Sequence, residues 1–294
     1  MLDPVVAIDR LRAAFGGPTQ HRTLHAKGRF YGGTFTPTPE AGELCRAGHL
    51  HAPTPVTVRW SNAGGNAAVP DEKPDIRGMA VKFRLADGTA TDLLGQTSPR
   101  FPTDDPETFV AMTEASVKPA TFPLFLLRHP RMIPALAAGI AGKAVGSPVS
   151  FAEVTFYPIH AYGWLDADGR RTWVRYVLVP TATADDRLDQ TFEGPDRLSA
   201  EMAARLARGP VTHELRVQLA GDGHDPHSAT SVWAGAREIV AGRIEVTELL
   251  PDPEEGGTPT VFDPTRVVDG IELSDDPILR YRPSAYTESV HRRA

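Results

Sequence analysis

Short runs of alternating apolar and polar residues dominate this chain. Val56, Val58 and Trp60 alternate with Thr57, Arg59 and Ser61, which predicts a strand over 55–61 with one face buried. A second strand is predicted over 78–84, and others near 152–164, 171–180, 213–220 and 242–250. Asp168-Gly169, between the third and fourth of these runs, is a hairpin signal. The opening segment follows helical spacing instead. Asp3 is placed to cap it, Pro4 suits the first turn, Val5, Ile8, Leu11 and Phe15 share one face, and Gly16-Gly17 ends it. Further helices are expected over 105–115, 122–129, 131–142 and 196–208. Strands form the framework and helices cluster in the middle, so the expected class is α+β: an antiparallel β-barrel with attached helices.

Composition narrows the function classes. The 294 residues, 41% hydrophobic and 23% charged, suit one globular domain over 1–294, with 1–20 as an N-terminal helix and lead-in. The 26 glycines and 27 prolines fall between short segments throughout, as many turns require. A net charge of −6 argues against a general nucleic-acid or membrane-surface binder, because polyanions need a basic face. One cysteine excludes an intrachain disulfide, a Cys-rich zinc site and an iron–sulfur cluster. The start, Met1-Leu2-Asp3-Pro4, has no basic or apolar signal region. The least polar stretch, 122–145, is broken by Arg128, Pro130, Arg131 and Pro134, so it does not read as a span. A cytoplasmic protein is the expectation.

Several polar residues sit where structure alone does not ask for them. Arg59 lies inside an apolar strand, and a buried guanidinium needs an anion. For an isolated example, a carboxylate partner or a one-sided strand is the ordinary explanation. Arg22 and His25 precede a turn-rich stretch. Arg282 stands four residues before Tyr286, so in a helix the two share a face. A cation beside a phenol oxygen favours the phenolate, and tyrosine is an axial haem ligand in some proteins. Most such pairs are nonetheless packed aromatics with a polar tip. Other metal readings are poorer. Cys45 reads as a half-buried helix residue, His49 and His51 as a surface loop, and Asp222 to His227 as a solvated loop. There is no phosphate-binding glycine loop, dinucleotide fingerprint or Gly-x-Ser-x-Gly elbow.

Taken together, these segments resemble the catalase family. Arg22-Thr-Leu-His25-Ala-Lys-Gly28 is similar to its distal-histidine motif, and Thr54-Pro-Val-Thr-Val-Arg59-Trp-Ser61 to its Thr-Pro-x-x-x-Arg-Phe-Ser strand. Asp75-Ile-Arg77-Gly-Met-Ala-Val-Lys-Phe83 matches Asp-x-Arg-Gly-Phe-Ala-Val-Lys-Phe almost throughout. Asp92-Leu-Leu-Gly95, Pro99, Asp105-Pro106, Phe109, His160, Val174-Arg-Tyr176 and Arg282-x-x-x-Tyr286 continue it in order, so the resemblance covers about 22–293. It implies a ferric haem b held inside an eight-stranded β-barrel. Tyr286 then looks like the proximal iron ligand with Arg282 as its partner, and Arg22, Arg59 and Arg293 like the clamp on the haem propionates. His25 resembles the distal base, oriented by Ser61. His160 resembles a proximal-side histidine, and Phe109 a ring packed on the porphyrin.

The resemblance further implies peroxide as substrate and an oxyferryl intermediate. Two departures shape the activity expected. Catalases usually carry Asp-Leu-x-Gly-Asn-Asn-Thr-Pro, whose second asparagine is read as donating to peroxide; here Thr97 takes that place in Asp92-Leu-Leu-Gly-Gln96-Thr97-Ser98-Pro99. A misplaced donor costs about 2–4 kcal/mol, on the order of 10²–10³ in rate. Weak dismutation is therefore expected, with reduction of hydrogen peroxide or organic hydroperoxides by a small organic electron donor as the main activity. Gln96 is the candidate substitute donor, given an altered backbone. The second departure is length: no N-terminal arm and no large region beyond the tyrosine, as in the short branch of the family, for which a monomer or homodimer is expected. Two alternatives remain: an allene-oxide-forming rearrangement of fatty-acid hydroperoxides, and a non-catalytic binder of haem or an apolar ligand.

Overall fold

The local signals at the chain start translate directly into structure. Asp3 Oδ1 accepts from the Val5 N–H at 2.8 Å, and Gly16, at φ 63°, ends the helix. The computed structural model describes residues 2–18, 20–118, 120–255 and 259–293. Its elements are α1 (Pro4–Phe15), β1 (Gly28–Pro37), α2 (Pro39–Leu44), β2 (Thr54–Asn62), β3 (Asp75–Arg84), β4 (Ala90–Gln96), α3 (Pro106–Ser116), α4 (Phe122–Arg128), α5 (Ile133–Ala141), β5 (Val145–Gly146), β6 (Ala161–Leu165), β7 (Arg171–Pro180), α6 (Arg197–Leu206), β8 (Val211–Leu219), β9 (Arg237–Leu249), β10 (Ile271–Leu273) and α7 (Pro277–His291).

Eight strands follow one another antiparallel in the order β6-β7-β8-β9-β1-β2-β3-β4; the short β10 adds to β6, and β5 pairs β3. The wall closes where Gln96, at the end of β4, bridges Tyr157 while Phe156 bridges Leu178 of β7. The residues turned inward fill the barrel. Trp60, Phe35, Phe83, Phe156, Trp164 and Val217 are all buried there, and the Trp60 and Phe151 rings stack 6.2 Å apart. Each such side chain contributes about 1.5–3 kcal/mol by leaving water. Helices α1, α3 and α7 pack on one another outside the wall, joined by Ala7, Leu11, Val110 and Tyr281.

Some expectations need correction. The region 152–160 is not a strand: it begins with a short 3-10 turn and meets the sheet only through its bridges at Phe156 and Tyr157. β1 went unpredicted because its three glycines and terminal proline weaken the strand pattern. Packing overrides that propensity, since a Cβ on Gly33 would lie 2.2 Å from the Glu245 carbonyl oxygen, where the β1–β9 register shifts. Cys45 follows α2 and is fully buried, donating to the Gly270 carbonyl at 3.2 Å. His49 is also buried, packed between Phe35 and Phe83. No helix among the described residues is long and apolar enough to cross a membrane.

Candidate active site

In a strand pair, directly opposed residues point to the same face. β2, β3 and β4 place Ser61, Gly78 and Gln96 in one such row, and β1 extends it with Gly28. The neighbouring row on the same face is Phe30, Arg59, Ala80 and Leu94. The inward face carries Val58 and Trp60, so these rows form the outer surface of the barrel. Two glycines make part of that surface flat. A Cβ on Gly78 would lie 2.7 Å from the His25 ring and 2.9 Å from Ser61 Oγ, and one on Gly28 would lie 2.7 Å from the Arg59 guanidinium carbon.

Between this surface and α1, α3 and α7 lies a cavity of about 1460 Å³, its mouth included. The interior of the barrel is packed, so the cavity stands outside it and not inside as the resemblance implied. Its lining includes Arg22, His25, Arg59, Ser61, Phe109, Arg282, Tyr286 and Arg293, so eight of the ten expected site residues meet in one space. The space is mostly apolar elsewhere, with Ile8, Leu11, Val110 and Ile278 among its walls.

His25 has φ 55°, a left-handed conformation uncommon outside glycine, and its N–H is pinned to the Ala63 carbonyl at 2.9 Å. Its Nδ1 lies 3.0 Å from Ser61 Oγ. Burial, reinforced by Arg59, Arg282 and Arg22, pushes its pKa down to about 3, so the imidazole is neutral at physiological pH. In the tautomer whose Nδ1–H donates to the serine, Nε2 is the basic nitrogen.

The cations are held unequally. Arg59 is 5% exposed, packs over the Phe30 ring and, among the described residues, has only a long hydrogen-bond contact of 3.4 Å from Nη2 to the Ala26 carbonyl. Its Nε is buried without a partner, and burial together with Arg22 lowers its pKa to about 9. Arg22 donates to Glu254 at 2.7 Å and to the Thr260 carbonyl; Arg293 donates to the same Glu254 at 3.0 Å. From α7, Arg282 Nη1 donates to the Tyr286 oxygen at 3.0 Å, the i to i+4 contact the spacing anticipated. Phe109 stacks on Phe101 with centroids 5.0 Å apart.

Two expected residues stand elsewhere. His160 is buried behind the cavity, with Nδ1 2.6 Å from Asp276 Oδ2 and Nε2 unpartnered. Burial, then Arg282, lowers its pKa to about 4 despite that carboxylate. Thr97 faces away from the cavity: its hydroxyl donates to the Ala144 carbonyl and accepts the Arg77 N–H at 3.1 Å. Strand alternation explains this, since Gln96 shares the face of Ser61 and its successor cannot. Gln96 lines the cavity; Thr97 does not. Also unforeseen were Glu254, Phe262 stacked on Phe30, and the Tyr281 hydroxyl, which is buried without a partner at the cavity wall.

The chain that builds this barrel and its cation-rimmed cavity belongs to the catalase family, whose profile it matches over residues 5–294. More particularly, it is 42% identical over 299 aligned residues to a catalase-related peroxidase of Mycolicibacterium paratuberculosis, covering 99% of this chain and 95% of that one. A catalase-related peroxidase of Synechococcus elongatus is 26% identical, over 99% and 88% of the two chains. A fungal catalase crystal structure superposes with a TM-score of 0.79 at 21% identity, covering 93% of this chain and 59% of that one, a likeness of fold.

Proposed function

We propose that this chain is a haem peroxidase that reduces hydrogen peroxide or organic hydroperoxides with a small organic electron donor. Membership of the catalase family implies haem binding, and the residues present fit haem b. A buried Arg59 with an orphaned nitrogen and no carboxylate in contact asks for an anion, which a propionate supplies. The flat glycine-lined wall and the apolar remainder of the cavity suit a planar macrocycle. Tyr286 would hold the iron, while Arg22, Arg59 and Arg293 would hold the propionates and Phe109 would pack on the ring. Bound there, the haem supplies the redox centre at which the peroxide O–O bond is cleaved with two electrons from the donor.

The chain's own groups then handle protons and position. His25 Nε2 would take the proton from one peroxide oxygen and return it to the other, which leaves as water or alcohol. Ser61 holds the ring in place for this transfer. Gln96 presents an amide toward the same space, so Thr97 is replaced in the donor role. Because this amide stands on a side chain one methylene longer than asparagine, dismutation is expected to stay weak. Arg282 holds the Tyr286 oxygen in place, and His160 braces the start of α7 through Asp276. The observation that carries the reading is the meeting of the His25–Ser61 pair and the Arg282–Tyr286 pair in one cavity with three arginines.

The names of the catalase-related peroxidases quoted above support a peroxidase over a rearranging enzyme or a non-catalytic haem carrier. A cytoplasmic monomer or homodimer completes the reading. The absorption spectrum of the purified protein tests it: a high-spin ferric spectrum is expected, altered in Tyr286→Phe, and His25→Ala should bind haem yet react with peroxide far more slowly. A chain that carries no haem and cannot be reconstituted would sink the proposal.

A further inference from the structure

Glu254 lies next to the cluster of cations without lining the cavity itself. Its Oε1 accepts from Arg22 Nη2 at 2.7 Å, from Arg293 Nη1 at 3.0 Å and from the Thr260 N–H at 3.1 Å, while Oε2 takes Arg22 Nε at 3.3 Å. One edge of each guanidinium is thus gripped from outside. The opposite groups are left over: among the described residues, Arg22 Nη1, Arg293 Nη2 and Arg59 Nη1 have no hydrogen-bond partner. All three arginines line the cavity.

The charges point the same way. Three guanidiniums against one carboxylate in direct contact leave an excess of two positive charges, enough for a ligand with two carboxylates. Asp252 acts on Arg22 and Arg59 only at longer range, and its Oδ1 is spent on the Glu254 N–H. Burial pushes the Glu254 carboxyl up, but Arg22 and Arg293 outweigh it and hold the carboxyl below its ordinary value, so it is ionised at neutral pH.

We propose that Glu254 is a positioning residue for the cofactor: by holding the outer edges of Arg22 and Arg293 it aims their free amino groups into the cavity and sets the cluster's charge to match a porphyrin dicarboxylate. The inference rests on the haem reading and deepens it. A carboxylate tethered in this way lets the arginines wait in place, so that less side-chain ordering is left for the moment of binding.

The test is binding and not turnover. Apoprotein is titrated with ferric haem and with ferric haem dimethyl ester, which keeps the macrocycle and removes both charges. In Glu254→Gln, haem binding should weaken roughly tenfold or more, the scale on which outer-shell partners act. Binding of the diester should stay as in the unmodified chain, and Glu254→Asp should restore part of the loss. A purely structural role would weaken both porphyrins equally and overturn the proposal. So would unchanged haem affinity, or tighter haem binding, which would make Glu254 a competitor for the arginines. If the unmodified chain binds neither porphyrin, the haem reading itself falls and takes the inference with it.

Discussion

At the residue scale, the site depends as much on missing side chains as on present ones. His25 rests where a Cβ on Gly78 would stand, so Gly78→Ala should displace the ring. The expected outcome is a reaction with peroxide slowed by about 10², typical of a misplaced catalytic group, with haem content unchanged; stopped-flow mixing checks it, and an unaltered rate would refute the argument. Gln96 and Thr97 separate chemistry from structure. Gln96→Ala should slow the peroxide reaction by roughly 10–10² by removing a donor. Thr97→Val should leave the rate per folded molecule alone. It should cost about 1–3 kcal/mol of stability, because the hydroxyl no longer donates to Ala144 or accepts from Arg77. Urea unfolding and kinetics on the same samples distinguish the two. Which of these neighbours faces the cavity could not be read from the sequence. Alternation fixes that only one does, and the register against Ser61 decides which.

At the scale of elements, α7 carries seven of the cavity residues and its start is secured twice by one carboxylate. Asp276 Oδ1 accepts from Ile278 and Leu279, while Oδ2 meets His160. Asp276→Ala removes a cap worth about 0.5–2 kcal/mol and also strands a buried imidazole. It should lower the melting temperature and loosen haem retention together; a fall in one without the other would break the link between the helix start and the site. The helix α1 was legible from its cap, its apolar spacing and its terminal glycines, all local signals. α7 was legible only in part. Pro283 interrupts its pattern, and Asp276 meets His160 across 116 positions of chain. Glu254 was invisible for the same reason, since it stands 232 residues from Arg22.

For the whole molecule, the alternating runs revealed an antiparallel sheet and most of its strands, whereas the segments that close it did not show, because closure rests on two isolated bridges. The packed barrel interior also sets a pH response. His49 and His213 are buried, and desolvation lowers both to about 4 from an ordinary 6.5. Above pH 6.5 they are neutral folded or unfolded, and stability is unaffected. As pH falls from 6.5 toward 4, only the unfolded chain takes up protons, so stability drops by about 2 kcal/mol per histidine at pH 5. Urea midpoints at pH 7.5 and 5 should show the fall, and His213→Gln should remove part of it; a midpoint constant over that range would contradict the assignment.

The position of the cavity on the outside of the wall bears on the order of assembly. The barrel's interior is filled by its own side chains, Trp60, Phe35, Phe83 and Phe156 among them, so the chain can complete its core before haem arrives. Acquisition is then a docking event under a flap of three helices, and a starved cell would accumulate folded, loadable protein instead of an unfolded precursor.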